Sequence, residues 1–340
     1  MKRLNFVVVI ILVFAAMFCS SCDKDDGEIK YDVYAVGYED NNNGESIAKL
    51  WKNGVAQNLT DGIYRSIASG VYVSNRNVYV SGYEWNEQGL IIAKLWKNGV
   101  AQNLTDGNSA AYASSVYVSG NDVYVVGQEA KFGGYVVKLW KNGIAQNLTD
   151  ETSNTYAYAV YVSGNDVYAV GFEIISQNES IAKLWKNGVT QNLTDGTSLA
   201  NANSVYVSGS DVFVAGSENG VATLWKNGVV QNVINGVSSS AINSIYILGN
   251  DVYAAGCELV DGYRWMPVLW KNSEKQHLAG GGWSIASGVY ILDDNVYVAG
   301  STIRNSTEVN SVARLWKNGT FQDLTDGTND AAVYAVFVVK

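Results

Sequence analysis

The sequence predicts an all-β fold made of seven four-stranded antiparallel units set in a ring. Three observations carry this. The string Leu-Trp-Lys-Asn recurs seven times, with its tryptophan at Trp51, Trp96, Trp140, Trp185, Trp225, Trp270 and Trp316, between 40 and 46 residues apart. A second block recurs between these copies. It is clearest over residues 115–127, where valine alternates with tyrosine on both sides of Gly120 and Asn121. The third observation is that residues 31–37 read as a second strand and residues 332–338 as a first strand, so the two fragments complete one unit.

One unit resolves into strand a over 115–119, strand b over 122–128, a longer loop, strand c over 137–141 and strand d over 144–149. Tight turns join a to b and c to d. The Asn142-Gly143 pair suits a type I′ turn, which needs positive φ at both central positions and matches the twist of its flanking strands. Valine alternates with tyrosine rather than with polar residues, so both faces of each sheet are expected to be buried. A β-propeller meets that demand, because each blade is sandwiched between two neighbours and only short, protected edges remain. An open solenoid would instead need polar capping units at its ends. The expected fold is therefore a seven-bladed β-propeller whose C-terminal strand joins the N-terminal three and closes the ring.

The order of elements, the tryptophan on strand c and a unit of about 45 residues resemble the WD-repeat propeller over nearly the whole chain beyond its leader. The resemblance is architectural. Lys follows the tryptophan where that family has Asp, and the family's Gly-His pair ahead of strand a is missing. Its scaffold biology is accordingly not carried over.

Composition agrees with a large folded core. Of 340 residues, 47% are hydrophobic and 16% charged, so disorder is not expected in the body of the chain. A net charge of -9 opposes attachment to nucleic acid, which requires clustered Lys and Arg. Lys2 and Arg3 precede an apolar run over residues 6–18, too short for a membrane span and suited to a signal peptide covering 1–21. Cys19, Ser20, Ser21 and Cys22 resemble a bacterial lipobox, which implies lipidation of Cys22. Cys19 stands where Leu is usual, which leaves a soluble secreted form open. Asp23, Lys24, Asp25 and Asp26 resemble the sorting signal of Bacteroidetes-type lipoproteins. On this reading 22–30 is a lipidated cysteine with an acidic tether and 31–340 is the propeller domain. The protein is expected to be an outer-membrane lipoprotein facing outside the cell, attached only through the lipid on Cys22. Cys257 is the one cysteine of the body, so no disulfide is available there.

The a–b and c–d turns emerge on one face of such a ring, and the b–c and d–a loops on the other. The first kind barely changes between units, whereas the b–c loops over 84–89, 129–134 and 258–265 differ. Loops on a rigid scaffold are where binding usually resides. Seven of the ten tryptophans belong to the repeat and are read as inter-blade core. The other three, Trp85, Trp265 and Trp283, fall on the variable face. Partly exposed aromatic rings suit sugars or protein hot spots. With Tyr64, Arg65, Tyr263 and Arg264 they form the expected ligand-binding set, which Tyr112, Tyr135 and Tyr156 extend.

Other patterns read as structural. Strand b ends in Glu39, Glu84, Glu129, Glu173, Glu218 and Glu258, with Thr302 in the seventh unit, and Lys49, Lys94, Lys138, Lys183 and Arg314 recur on strand c to pair with them. Asp61, Asp106, Asp195 and Asp326 read as turn caps rather than calcium ligands. The single histidine, His277, supplies neither a catalytic triad nor a metal cluster, and Cys257 has no activating partner in the pattern. No catalytic residue, metal or cofactor is expected. The chain is read as a non-enzymatic surface module that binds a glycan or a protein, with a carbohydrate-active enzyme using loop acids such as Glu87 and Asp261, or a scaffold subunit of an outer-membrane complex, as rivals.

Overall fold

The computed structural model describes residues 31–231, 239–280, 282–303 and 310–340. The signal peptide, Cys22 and the tether expected over 1–30 lie outside the described residues. Residues Tyr31–Lys340 form one compact unit. Its 28 strands, numbered β1 to β28 in chain order, form seven sheets of four antiparallel strands. Blade 1 is composite: β28 (Ala331–Val339) pairs with β1 (Asp32–Asp40), which continues into β2 (Ser46–Lys52) and β3 (Val55–Asn58). Blades 2 to 7 begin with the inner strands β4 (Ser66–Ser74), β8 (Ala111–Ser119), β12 (Thr155–Ser163), β16 (Ala200–Ser208), β20 (Ser240–Leu248) and β24 (Trp283–Leu292). Each inner strand lies beside the next, and β28 sits between β24 and β4, so the ring closes as the sequence predicts.

The Leu-Trp-Lys-Asn repeat has a separate structural reason at each of its last three positions. The seven tryptophans are at most 1% exposed. Each packs on the preceding blade: Trp96 against Tyr34, Val36 and Leu50, and Trp51 against Tyr297, Ala299 and Ala313 across the closure. In five blades the lysine that follows reaches back to the aspartate opening strand b, as in Lys52–Asp32 at 2.8 Å and Lys141–Asp122 at 2.7 Å, while lying over the ring of Tyr34 or Tyr124. The asparagine adopts positive φ. Asn142 (φ 53°) and Gly143 (φ 82°) make the expected type I′ turn, and the Asn142 amide accepts from the Val123 N–H and donates to Asp122. The a–b turn of blades 3 to 6 differs, because only its glycine, as at Gly120, has positive φ, which fits a type II′ turn, whereas in blades 2 and 7 both central residues, Asn75-Arg76 and Asp293-Asp294, have positive φ.

The inner strands are longer than the sequence suggests, and each contains a β-bulge. In blade 3 strand a starts at Ala111 rather than 115, and the register slips between Ala113 and Ser115. The extra residues are Ser69, Ser114, Tyr158, Asn203, Asn243, Ser287 and, in β28, Tyr334. A bulge breaks the alternation that marks a strand, so the pattern is lost just there. Its cause is legible across the sheet. At Gly127 a Cβ would stand 1.9 Å from the Tyr112 carbonyl oxygen, so the recurring glycine of strand b lets the bulged strand approach closely.

Candidate functional site

The glutamates at the ends of the b strands make a girdle of ion pairs. Glu39 meets Lys49 at 2.8 Å, Glu129 meets Lys138 at 2.8 Å, Glu173 meets Lys183 at 2.7 Å, and Glu84 pairs with Lys94. Two blades reach the same end by other routes. In blade 6 strand c carries Val268 in place of lysine, and Glu258, 2% exposed, instead takes Lys275 at 2.9 Å and His277 Nε2 at 2.6 Å from strand d. Burial opposes its charge, but these hydrogen bonds outweigh burial and hold its carboxyl below the ordinary value. In blade 7 Thr302 replaces the glutamate, and buried Arg314 turns to Asp323 at 2.6 Å on strand d. In blade 5 Thr223 replaces the lysine. Glu218 then has no ion pair among the described residues, and burial, helped by Asp195, raises its carboxyl. A charge compensated in six of the seven blades, by whichever strand supplies a partner, is a packing device.

The remaining candidates divide in the same way. Asp61, Asp106, Asp195 and Asp326 each accept the backbone N–H two residues on, which caps a turn. Cys257 is 7% exposed, and burial pushes its thiol up to about 11, so it is protonated at neutral pH. Among the described residues no cluster of three or more His, Cys, Asp or Glu could hold a metal.

The variable face gathers the expected ligand-binding residues into two groups. Trp265, on β22 (Arg264–Lys271), and Trp283, opening β24, line one niche of about 170 Å³ with Ile285, Ser301, Thr302 and Ser311. Trp283 is 53% exposed. The niche owes its apolar character to the blade 7 exchange, since Thr302 stands where other blades carry a carboxylate. Nearby in sequence, Tyr263 is 63% exposed and Arg264 pairs with Asp261 at 3.5 Å. Neither lines the niche. Trp85 belongs to the second group, on blade 2. The guanidinium of Arg65 covers its ring at 5.4 Å and also meets Glu45 at 3.8 Å, while Tyr64 is 38% exposed. The three non-repeat tryptophans therefore share a face but not a site.

From Trp85 a run of aromatic rings crosses blades 2 to 4. Its centroid steps are 5.4 Å to Tyr83, 4.9 Å to Tyr112, 6.0 Å to Tyr135, 5.1 Å to Tyr156, 5.1 Å to Phe172 and 5.7 Å to Tyr158. Tyr112, Tyr135 and Tyr156 were readable as additions to the set. Tyr83, Phe172 and Tyr158 were not, because they sit in strands whose valine–tyrosine alternation reads as core. Burial raises the hydroxyls of Tyr83, Tyr112, Tyr156 and Tyr158, which keeps these four uncharged.

Fold and face together define a closed seven-bladed β-propeller. No protein-family model matches the chain, and no curated protein matches it. Solved structures do. The β-propeller domain of the trilobed protease from Pyrococcus furiosus, which has an open velcro topology, is similar with a TM-score of 0.50 at 15% identity, over 88% of this chain and 93% of that one. A puromycin-hydrolysing peptidase of Mycobacterium tuberculosis is similar with a TM-score of 0.50 at 12% identity, over 78% of this chain and 46% of that one. At such identities the likeness shows the fold alone. It nevertheless overturns the expectation of a non-enzymatic chain, since the propellers it resembles belong to a protease and a peptidase.

Proposed function

We propose that the chain is a surface-displayed binding protein that holds a glycan through the niche of Trp265 and Trp283. One observation carries the reading: a half-exposed indole stands beside a second indole in a recess from which the repeat's own carboxylate is gone. An indole face offers apolar area to the C–H face of a sugar, and half-buried Ser301 in the lining offers a hydroxyl. Lipidation at Cys22 and display outside the outer membrane supply the setting, on the strength of the lipobox and of Asp23 to Asp26.

A glycan array probed with the purified chain and with W265A, W283A and W85A variants tests this. Signal lost in the first two and retained in W85A supports the niche. Signal lost only in W85A moves the site to blade 2, and silence from the unaltered chain on every glycan sinks the glycan reading and directs attention to a protein partner in the cell envelope.

A further inference from the structure

The seven bulged residues meet around the axis of the ring, where a cavity of about 210 Å³ is lined from all seven inner strands. Three residues further along each strand stands an aromatic side chain: Tyr72, Tyr117, Tyr161, Tyr206, Tyr246, Tyr290 and Phe337. These seven rings touch in an unbroken circuit, with centroids 4.7–5.1 Å apart at every step. The cavity thus has an aromatic collar on the side of the a–b turns.

The lining holds no Asp, Glu, Lys, Arg or His. What it holds departs from the repeat in an informative way. Serine satisfies the bulge in three blades, at Ser69, Ser114 and Ser287, so the backbone asks for nothing larger. Four blades nevertheless place a bigger polar group there, as Tyr158, Asn203, Asn243 and Tyr334. Two of these are fixed in orientation. Asn203 Nδ2 donates to the Ile242 carbonyl at 2.8 Å, and Asn243 Nδ2 donates to the Ala286 carbonyl at 2.9 Å, each reaching the next blade. Each amide is left with its Oδ1 acceptor and one N–H that no described residue takes.

We infer that this axial cup binds a single uncharged polyhydroxylated unit, a neutral sugar residue either free or at the end of a chain. A charged ligand would lie without a counter-charge, and an apolar one would leave the amides and phenols unpaired, each a costly outcome. The volume is below the range of drug-sized sites, as one sugar ring requires. The cup is distinct from the two-indole niche and does not rest on it.

Saturation-transfer NMR on the whole chain tests the inference, with glucose, galactose and N-acetylglucosamine as probes and glucuronic acid and cyclohexanol as charged and apolar controls. Saturation is expected on at least one neutral sugar and on neither control. It should vanish in S114W, which fills the cup, fall several-fold in Y158F, and persist in W283A. Trisaccharides of the same sugars separate the two sources, since saturation confined to one terminal residue marks a chain end. Should S114W fail to fold, as judged by near-ultraviolet circular dichroism, the isosteric Y158F carries the test alone. Silence from all three neutral sugars, equal saturation of glucuronic acid, or a signal unmoved by Y158F while W283A abolishes it would overturn the assignment.

Discussion

The two faces of the ring are built from the same strands, yet one repeats itself and the other does not. On the a–b and c–d face the turn residues carry positive φ, the asparagine amide holds both its neighbour's backbone and an aspartate, and a lysine spans from that aspartate to a ring. Every position there answers to the backbone, so copies of the unit can change little. On the opposite face the b–c loops only have to join two strands, and copies diverge in length and charge. Identity among the blades therefore marks where geometry is demanding, and difference marks where it is not.

The largest effect should come from the part both faces share. Trp96→Ala removes a side chain buried between blades 1 and 2, and a loss of about 3–5 kcal/mol is expected in urea denaturation. A loss below about 1 kcal/mol would mean that neighbouring blades pack independently. Next comes the girdle, where two glutamates at one repeat position should respond in opposite ways. Glu258→Gln weakens the hydrogen bonds to Lys275 and His277 and should cost about 2 kcal/mol. Glu218→Gln relieves a carboxylate that burial disfavours and should be neutral or stabilising within about 0.5 kcal/mol. Equal costs at both sites would break the account of the girdle as compensated charge.

Acid should act on the constant face. Hydrogen bonds from the c-strand lysine and then the turn asparagine hold Asp122, Asp166 and Asp211 below their ordinary value of 3.8, and Asp251 is lowered by the same pair with the asparagine first. A depressed folded value means that the stabilisation is full above 3.8 and is lost as pH falls through the lower folded values. Thermal melts between pH 5 and pH 2 should show the midpoint falling steeply only below about pH 4, and Asn substituted at these four positions should flatten that fall. The smallest effect belongs to the variable face. Glu87→Ala, in an exposed b–c loop, should change stability by less than about 0.5 kcal/mol.

Much of this could be read from residues alone. Seven Leu-Trp-Lys-Asn strings gave the blade count, and the split unit gave the closure. The pairing of Lys49 with Glu39 followed from their recurrence on adjacent strands. The bulges were not legible, because an extra residue erases the alternation by which a strand is recognised, although the glycine opposite each one was in plain view. The niche was half legible. Trp265 and Trp283 were named, but Trp85 was grouped with them because a shared face is visible in a repeat while distance around the ring is not. The non-enzymatic reading failed for another reason, since it was drawn from catalytic patterns that the sequence lacks, and propellers of the same architecture belong to hydrolases.

The pairing of β28 with β1 also has a meaning in time. A chain made from its N-terminus presents β1, β2 and β3 long before the strand that completes their blade exists. Through that interval β1 offers an unpaired edge, the kind of surface that invites pairing with another chain. Folding of this molecule is therefore a race between closure and aggregation, and a chaperone that shields strand edges has its longest task at the first blade.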